Sequence, residues 1–312
     1  MNEPMDVAVI GSFVMALTTR LPRMPAAGES LIADLLDVGP GGKGSNLAVA
    51  VARQGARVGL VARIGADLFG DVALKLYADE GIDSTYVVRA QDAQTGVALI
   101  YLEHSGQNRI AIYPGANSAL GIDDVQRIAQ APGFASARVL ATQLEIGDDA
   151  VAAAVRLGAA HGKTVLLNPA PARPLPADIL RHVDILTPNE SESRLLAGVD
   201  ASSSLSHADV GRRLLSLGPR IVIITLGEQG CLIVQRDSEP LHVPAFAVKS
   251  IDTVGAGDAF SGGLAVALAD GKALPEASRW ACATAALSVM HVGAIPGLPR
   301  RAEIAALIQR SQ

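Results

Sequence analysis

The sequence predicts an α/β layered fold: a mostly parallel sheet with helices on both faces, plus a small separate β sheet. Three observations carry this. Short runs rich in Val, Ile and Leu recur along the chain and end at Gly, Pro, Asn or Glu, as strands buried on both faces of a parallel sheet do. Ala-rich helical patterns alternate with these runs, the order that right-handed strand–helix–strand crossovers require. Two further stretches break the rhythm and carry β patterns of their own.

In chain order, "DVAVIGS" (6–12) is the first buried strand. Its neighbourhood "VAVIGSFVMAL" has the length of a signal-peptide core, but the leader "MNEPMD" is acidic where a signal peptide is basic. Residues 13–39 hold prolines and the polar–apolar alternation "SLIADLLDV", without a helical pattern. "GSNLAVAVARQG" (44–55) is a helix stopped by glycine, and "VGLVARIG" (58–65) the next strand. Residues 94–114 read as a hairpin around Ser105-Gly106-Gln107-Asn108. "ARVLATQLE", "KTVLLNPAP", "VDILTPNE" and "RIVIITLG" continue the parallel set, with helices at "DDAVAAAVRLGAAHG" and "DVGRRLLSLG" between them. The expected division is an α/β core of 1–12, 40–93 and 115–312, with 13–39 and 94–114 inserted as a β lid. Such a lid would cover the carboxyl ends of the parallel strands, where open α/β sheets bind ligands.

Composition narrows the function. The chain has 312 residues, 49% of them hydrophobic and 18% charged, which suits a globular protein. Net charge is −5 and no basic run exceeds Arg212-Arg213 or Arg300-Arg301, so a nucleic-acid stripe is absent. No run reaches the roughly 18 apolar residues of a membrane span. Cys231 and Cys282 provide neither a disulfide framework nor metal-ligand spacing, and a reducing cytoplasmic compartment is the expectation.

Two glycine clusters carry the chemistry. "SIDTVGAGDAF" (250–260) runs into the helical pattern "AFSGGLAVALADG". Glycines at a helix N-terminus form a ready anion site, because backbone N–H groups there lack partners and face the positive end of the dipole. Gly255 and Gly257 would let the backbone approach a ligand closely, Gly257 in a conformation that glycine favours. Asp258 is then either a helix-start charge or a general base beside a bound phosphate. The second cluster, "GPGGKGSN" (39–46), is not a Walker A loop, since Gly44 follows Lys43 where Ser or Thr is required. Neither cluster fits G-x-G-x-x-G. Gly41, Gly42 and Gly44 permit close approach of a small polar ligand, and Asn46 is either a hydroxyl contact or a helix cap.

"GGKGSNLAVAVARQGA" (41–56) followed by "DTVGAGDAFSGGLAVAL" (252–268) resembles the two signature segments of the ribokinase-like (PfkB-type) carbohydrate kinases. "TGVALIYLE", "YPGAN", "QLE", "LNPAPARPLP", "TPNESE" and "ITLGEQG" extend the resemblance, most of all to the ribokinase branch, from the first strand to about Pro299. It implies an ATP-dependent kinase acting on the primary hydroxyl of ribose or a similar pentose. Two other readings stand beside it: a kinase for another sugar or a nucleoside, and a non-catalytic sugar-binding regulatory protein. With aromatics only 3% of the chain, few stacking platforms exist for a base, although Phe13 is one.

By this resemblance Asp258 is the catalytic base, and Gly255, Ala256 and Gly257 form the anion hole for the moving phosphoryl group. Gly42, Lys43 and Asn46 would hold sugar hydroxyls and Glu145 the ring, though Glu145 alone also reads as a surface acid. Asn189 and Glu192 would orient Mg2+ through water; without the rest of the chain "NESE" is a capped helix start. Thr225, Gly227, Gly230 and Cys282 would meet the nucleotide, Cys282 otherwise being a plain core thiol. Asp252, Val254, Ser288, His291 and Gly293 match a potassium site, with Gly297 where a serine ligand is common. The resemblance also implies a sugar and ATP as partners, no nucleic acid or membrane, and a homodimer through the lid. One departure bears on the sugar. Where the family reads "GSINAD", this chain reads "GSFVMA", so Val14 and Ala16 offer no hydrogen bond unless Asn108 or Arg109 substitutes from the lid.

Overall fold

The computed structural model describes residues 4–311; residues 1–3 and 312, which the expected core segments include, lie outside the described residues. The strands of the first half are β1 (Val7–Ile10), β2 (Val14–Leu21), β3 (Leu35–Gly41), β4 (Val58–Gly65), β5 (Asp83–Ala90), β6 (Gly96–Glu103) and β7 (Asn108–Tyr113). Those of the second are β8 (Val139–Gln143), β9 (Thr164–Asn168), β10 (Ile185–Leu186), β11 (Ile221–Thr225), β12 (Cys231–Gln235) and β13 (Leu241–Val243). Nine form one sheet in the order β13-β12-β11-β10-β9-β8-β1-β4-β5. Pairing is parallel from β5 to β11, and β12 and β13 close one edge antiparallel.

The uninterrupted apolar runs have a direct cause. Val7 and Val9 of β1 enter one core, while Ala8 and Ile10 enter the other, and all four are fully buried. Helices Lys43–Arg53, Leu68–Asp79, Ala256–Ala269 and Leu274–Ser288 cover the first face. Helices Ile122–Arg127, Asp148–Ala160 and His207–Ser216 cover the second. Burial on that scale, at about 25 cal/mol per Å² of apolar surface, is the main force holding the layers together.

One helix contact positions the site. A Cβ at Gly262 would lie 2.5 Å from the Ala50 Cβ, and one at Gly263 would lie 2.5 Å from Thr284 Oγ1. The Gly-Gly pair therefore lets helix Ala256–Ala269 sit closer to helices Lys43–Arg53 and Leu274–Ser288 than any side chain would allow.

The remaining strands form a second, four-stranded sheet in the order β3-β2-β6-β7. The expected hairpin of 94–114 is the antiparallel pair β6–β7, and the β pattern of 13–39 is the antiparallel pair β2–β3, which runs on to Gly41. β2 and β6 join the two hairpins in parallel. Leu36, Val38, Leu99, Ile110, Ile112 and Tyr113 of this sheet are exposed. Among the described residues no helix is long and apolar enough to cross a membrane.

Candidate active site

Helix Ala256–Ala269 opens at Gly255, whose φ of 80° lies in the left-handed region. A Cβ there would also lie 2.6 Å from the Ala294 Cβ, so Gly255 is constrained twice. Gly257 is different. The sequence reading gives it a glycine-specific conformation, but its φ is not among the positive ones, and a Cβ built on it meets nothing within 4 Å. It has entered the helix, so its backbone is ordinary; what its missing side chain leaves is open space.

That space belongs to a cavity of about 170 Å³ lined by Lys43, Asn168, Ala170, Thr187, Asn189, Glu192, Thr225, Thr253 and the run Gly255–Asp258. The first N–H groups of the helix have no intrahelical acceptor; that of Ala256 donates to the Thr253 carbonyl at 3.2 Å, and the turn lines this cavity with the positive end of the dipole. A second cavity of about 420 Å³ is lined in part by Val14, Ile112, Asn117, Glu145 and Arg173. A hydrogen bond links the two linings, the Lys43 N–H donating to Glu145 Oε2 at 2.9 Å.

Asp258 sits in the first turn and is only 4% exposed. Its Oδ2 accepts from Asn46 Nδ2 at 2.7 Å, and Asn168 Nδ2 lies 3.5 Å from Oδ1. Burial pushes its carboxyl up to about 6, against the opposing pull of the Lys43 charge and the Asn46 hydrogen bond. Lys43 responds in kind: the Asp258 carboxylate, ahead of Glu145 and Glu192, raises its pKa against desolvation. The Asn46 Oδ1 is buried with no partner in the chain. Asn46 lies inside its helix, whose cap is Gly42, so it caps nothing. An orphaned acceptor of this kind costs about 1–3 kcal/mol, a cost that a ligand hydroxyl donating to it would remove.

Glu145 is anchored, not free on the surface. Its Oε2 also accepts from Ser12 Oγ at 2.7 Å, and Ser12 Oγ accepts in turn from the Gly44 N–H and Gln143 Nε2. Among the described residues its Oε1 accepts nothing, so one oxygen remains for a ligand. Asn189 and Glu192 form a reciprocal capping box at the start of helix Glu190–Leu196 and also line the smaller cavity. Desolvation raises the Glu192 pKa. Among the described residues no group of three or more His, Cys, Asp or Glu could hold a metal ion. The donor set thus suits a divalent ion that arrives on phosphates with most of its water, not one caged by protein.

The structure gathers the other predicted residues unevenly. Thr225 reaches the smaller cavity, its N–H bonded to the Pro188 carbonyl. Gly227 and Gly230 build the tight turn from β11 into β12 and line neither cavity. Cys282 is buried in the core with its Sγ 3.8 Å from that of Cys231, and lines neither cavity. Asp252 ties two loops together, accepting from the Val254 N–H at 3.0 Å and the Gly293 N–H at 2.8 Å. The Ser288 hydroxyl donates to the Ala285 carbonyl, and His291 is exposed. A Cβ at Gly297 would stand 2.5 Å from the Ser288 carbonyl oxygen, so the local backbone leaves no room for a serine there. Asn108 and Arg109 stand near the far end of β7 from the cavities and line neither.

Sequence reasoning missed Ser12, Asn168 and Thr187. A signal existed: each is a polar residue at the carboxyl end of an otherwise apolar parallel strand, where such sheets place ligand contacts.

Comparison with known proteins shows the family. The pfkB family carbohydrate kinase model matches residues 5–301. A deoxyribokinase of Salmonella typhi is 37% identical over 296 residues, covering 95% of this chain and 96% of that protein. A ribokinase of Haemophilus influenzae is 37% identical over 297 residues, with the same coverage of 95% and 96%. The structure of Arabidopsis thaliana ribokinase complexed with ribose and ATP superposes with a TM-score of 0.90 at 29% identity, covering 98% of this chain and 99% of that one.

Proposed function

The chain belongs to the pfkB family of carbohydrate kinases and is a sugar phosphotransferase of the ribokinase and deoxyribokinase kind; from this premise we propose that it transfers the γ-phosphoryl group of ATP to the primary hydroxyl of a pentose. The observation that carries the proposal is Asp258, a buried carboxylate with its pKa raised to about 6, one residue behind a glycine turn that opens on a cavity. The sugar hydroxyl gives its proton to Asp258 as its oxygen bonds to the γ-phosphorus. The bond from that phosphorus to the β-bridging oxygen breaks, and ADP leaves. A carboxylate near pKa 6 is ionised at neutral pH yet basic enough to take the proton. Backbone N–H groups of Gly255 and Gly257 stabilise the charge on the moving group, joined by that of Ala256 once it leaves the Thr253 carbonyl. Mg2+ would travel with the phosphates, oriented by Asn189 and Glu192 through water. A monovalent cation would be held by carbonyls of the loops that Asp252 ties together. The second sheet acts as a lid over the larger cavity, and its exposed apolar residues form a homodimer contact.

Within the pentoses we infer a preference for a 2-deoxy sugar over ribose. Val14, almost buried, presents an apolar wall to the cavity shared with Glu145. Neither Asn108 nor Arg109 reaches it to replace the missing hydrogen bonds. A sugar hydroxyl facing Val14 would be left unpaired, at about 1–3 kcal/mol. Relatives named for each sugar are equally similar to this chain, as expected if sugar choice rests on few positions.

The test is a panel of pentoses, hexoses and nucleosides assayed for ATP-dependent phosphorylation, with wild type and Val14→Asn/Ala16→Asp. We expect 2-deoxyribose to give the higher kcat/KM in wild type. The double variant should raise the ribose-to-deoxyribose ratio by about tenfold, or roughly 1.4 kcal/mol of transition-state binding. An unchanged ratio in a folded double variant would show that these positions do not read the sugar. Failure to phosphorylate any pentose would overturn the kinase assignment's substrate class.

A further inference from the structure

Three of the four chain crossings between core and second sheet meet at one buried side chain, and the fourth packs against Phe13 beside it. Asn117, in the "YPGAN" stretch to which the phosphoryl chemistry gives no task, is fully buried. Its Oδ1 accepts from the Phe13 N–H at 3.0 Å, and its Nδ2 donates to the Phe13 carbonyl at 2.7 Å and the Pro114 carbonyl at 2.8 Å. Phe13 immediately precedes β2, and Pro114 immediately follows β7. Gly96 opens β6, and a Cβ there would lie 2.5 Å from Asn117 Nδ2. Gly42 follows β3, and a Cβ there would lie 2.8 Å from the Val14 N and 2.9 Å from the Phe13 Cα.

Asn117 itself belongs to the core. It lies on the short turn Gly115–Ala119, which packs against β4, and Arg63 Nη1 donates to the Ala119 carbonyl. A primary amide is the side chain that supplies one acceptor and two donors from one planar group. Leucine would supply none of these, and an aspartate would lose both donors.

We propose that Asn117 is a positioning residue for the sugar: it pins the roots of β2 and β7 to the core and so fixes the two side chains that this sheet presents to the larger cavity. Those are Val14, next to Phe13, and Ile112, two residues before Pro114. Asp258, Asn46 and Asn168 sit on core elements and share no hydrogen bond with Asn117. Loss of the pin therefore falls on sugar capture and spares nucleotide capture. The inference rests on reading the larger cavity as the sugar site.

The experiment measures steady-state kinetics of Asn117→Ala and Asn117→Asp with the best pentose of the panel, varying sugar and ATP separately. We expect the sugar KM to rise by about tenfold or more while the ATP KM stays within about twofold. A purely structural role would lower thermal stability and active fraction and leave both KM values unchanged. Equal rises in both KM values, or no rise in either, overturn the proposal. Amide exchange of the wild type, without sugar, serves even where the variants do not fold. The Phe13 amide, outside the strand ladder, should exchange at least as slowly as that of Leu17 within β2; exchange at the rate of an unprotected loop amide overturns the pin. A wild type inactive on every pentose would instead refute the functional proposal, and the exchange result would still decide the pin.

Discussion

Replacing Asp258 by Asn should abolish most turnover and at the same time stabilise the protein. The carboxyl is buried, and its folded-state pKa of about 6 compares with 3.8 for the free group. At 1.36 kcal/mol per pH unit, that gap is about 3 kcal/mol of destabilisation once the group is ionised. The sign follows from proton uptake. Between pH 3.8 and about 6 the folded state binds more protons than the unfolded one, so stability falls as pH rises through that window. Above about 6 the penalty is complete; below 3.8 it is absent. An amide of nearly the same shape carries no such penalty, but its N–H groups face those of Asn168, 3.5 Å away in the wild type. A net gain of about 1–3 kcal/mol at pH 8 is therefore expected, or a thermal midpoint higher by about 2–5 °C. The gain should shrink toward zero at pH 4. Calorimetry at the two pH values measures it, and kinetics in parallel should show kcat reduced by about 10²–10⁴. A variant less stable than wild type at pH 8, or one with the same gap at both pH values, would refute the burial argument. Near-full turnover on the true sugar would remove Asp258 from the role of base.

Gly257→Val should fold normally, since its Cβ enters open space, yet lose about 10²-fold or more in kcat because the side chain occupies the phosphoryl position. A folded variant with wild-type turnover would place the phosphate elsewhere. Leu36→Glu/Val38→Glu, two exposed apolar positions of β3, should convert a dimer to a monomer in sedimentation analysis, and an unchanged mass would exclude this face as the contact.

Much of this was legible because it is local. The β1 run, the helix start at Gly255 and the capping box of Asn189 and Glu192 depend on residues within a turn of one another, and the sequence pattern states them. What escaped depends on distant neighbours. Which glycine of the anion turn takes the left-handed conformation is decided where Gly255 meets Ala294, a contact no local pattern encodes. The antiparallel edge of β12 and β13 follows from the tight Gly227–Gly230 reversal, a stretch to which the family resemblance assigns a nucleotide contact. Cys282 has the apolar helical setting of a core residue, and the structure leaves it there beside Cys231. Asn168 and Thr187 were visible as polar strand ends, but only the fold brings them to the same cavity as Asp258.

The arrangement separates the two tasks of a sugar kinase. Every group within hydrogen-bonding distance of Asp258 comes from the core: Asn46 from the helix after β3, and Asn168 from the end of β9. The second sheet brings to the larger cavity only Val14 and Ile112, both apolar. A substitution at Val14 alters which hydroxyl finds a partner without moving the base, the glycine turn or the capping box. Its effect on rate then comes through sugar binding, and a loss there of about 1.4 kcal/mol changes preference tenfold while leaving the barrier of phosphoryl transfer to the core. The hydrogen bonds of Asn117 keep these parts in register. They hold the sheet where its side chains meet the larger cavity, with β3 and β7 as its outer strands. Sugar choice can thus change at one or two positions of the sheet, because the groups that hydrogen-bond Asp258 come from the core.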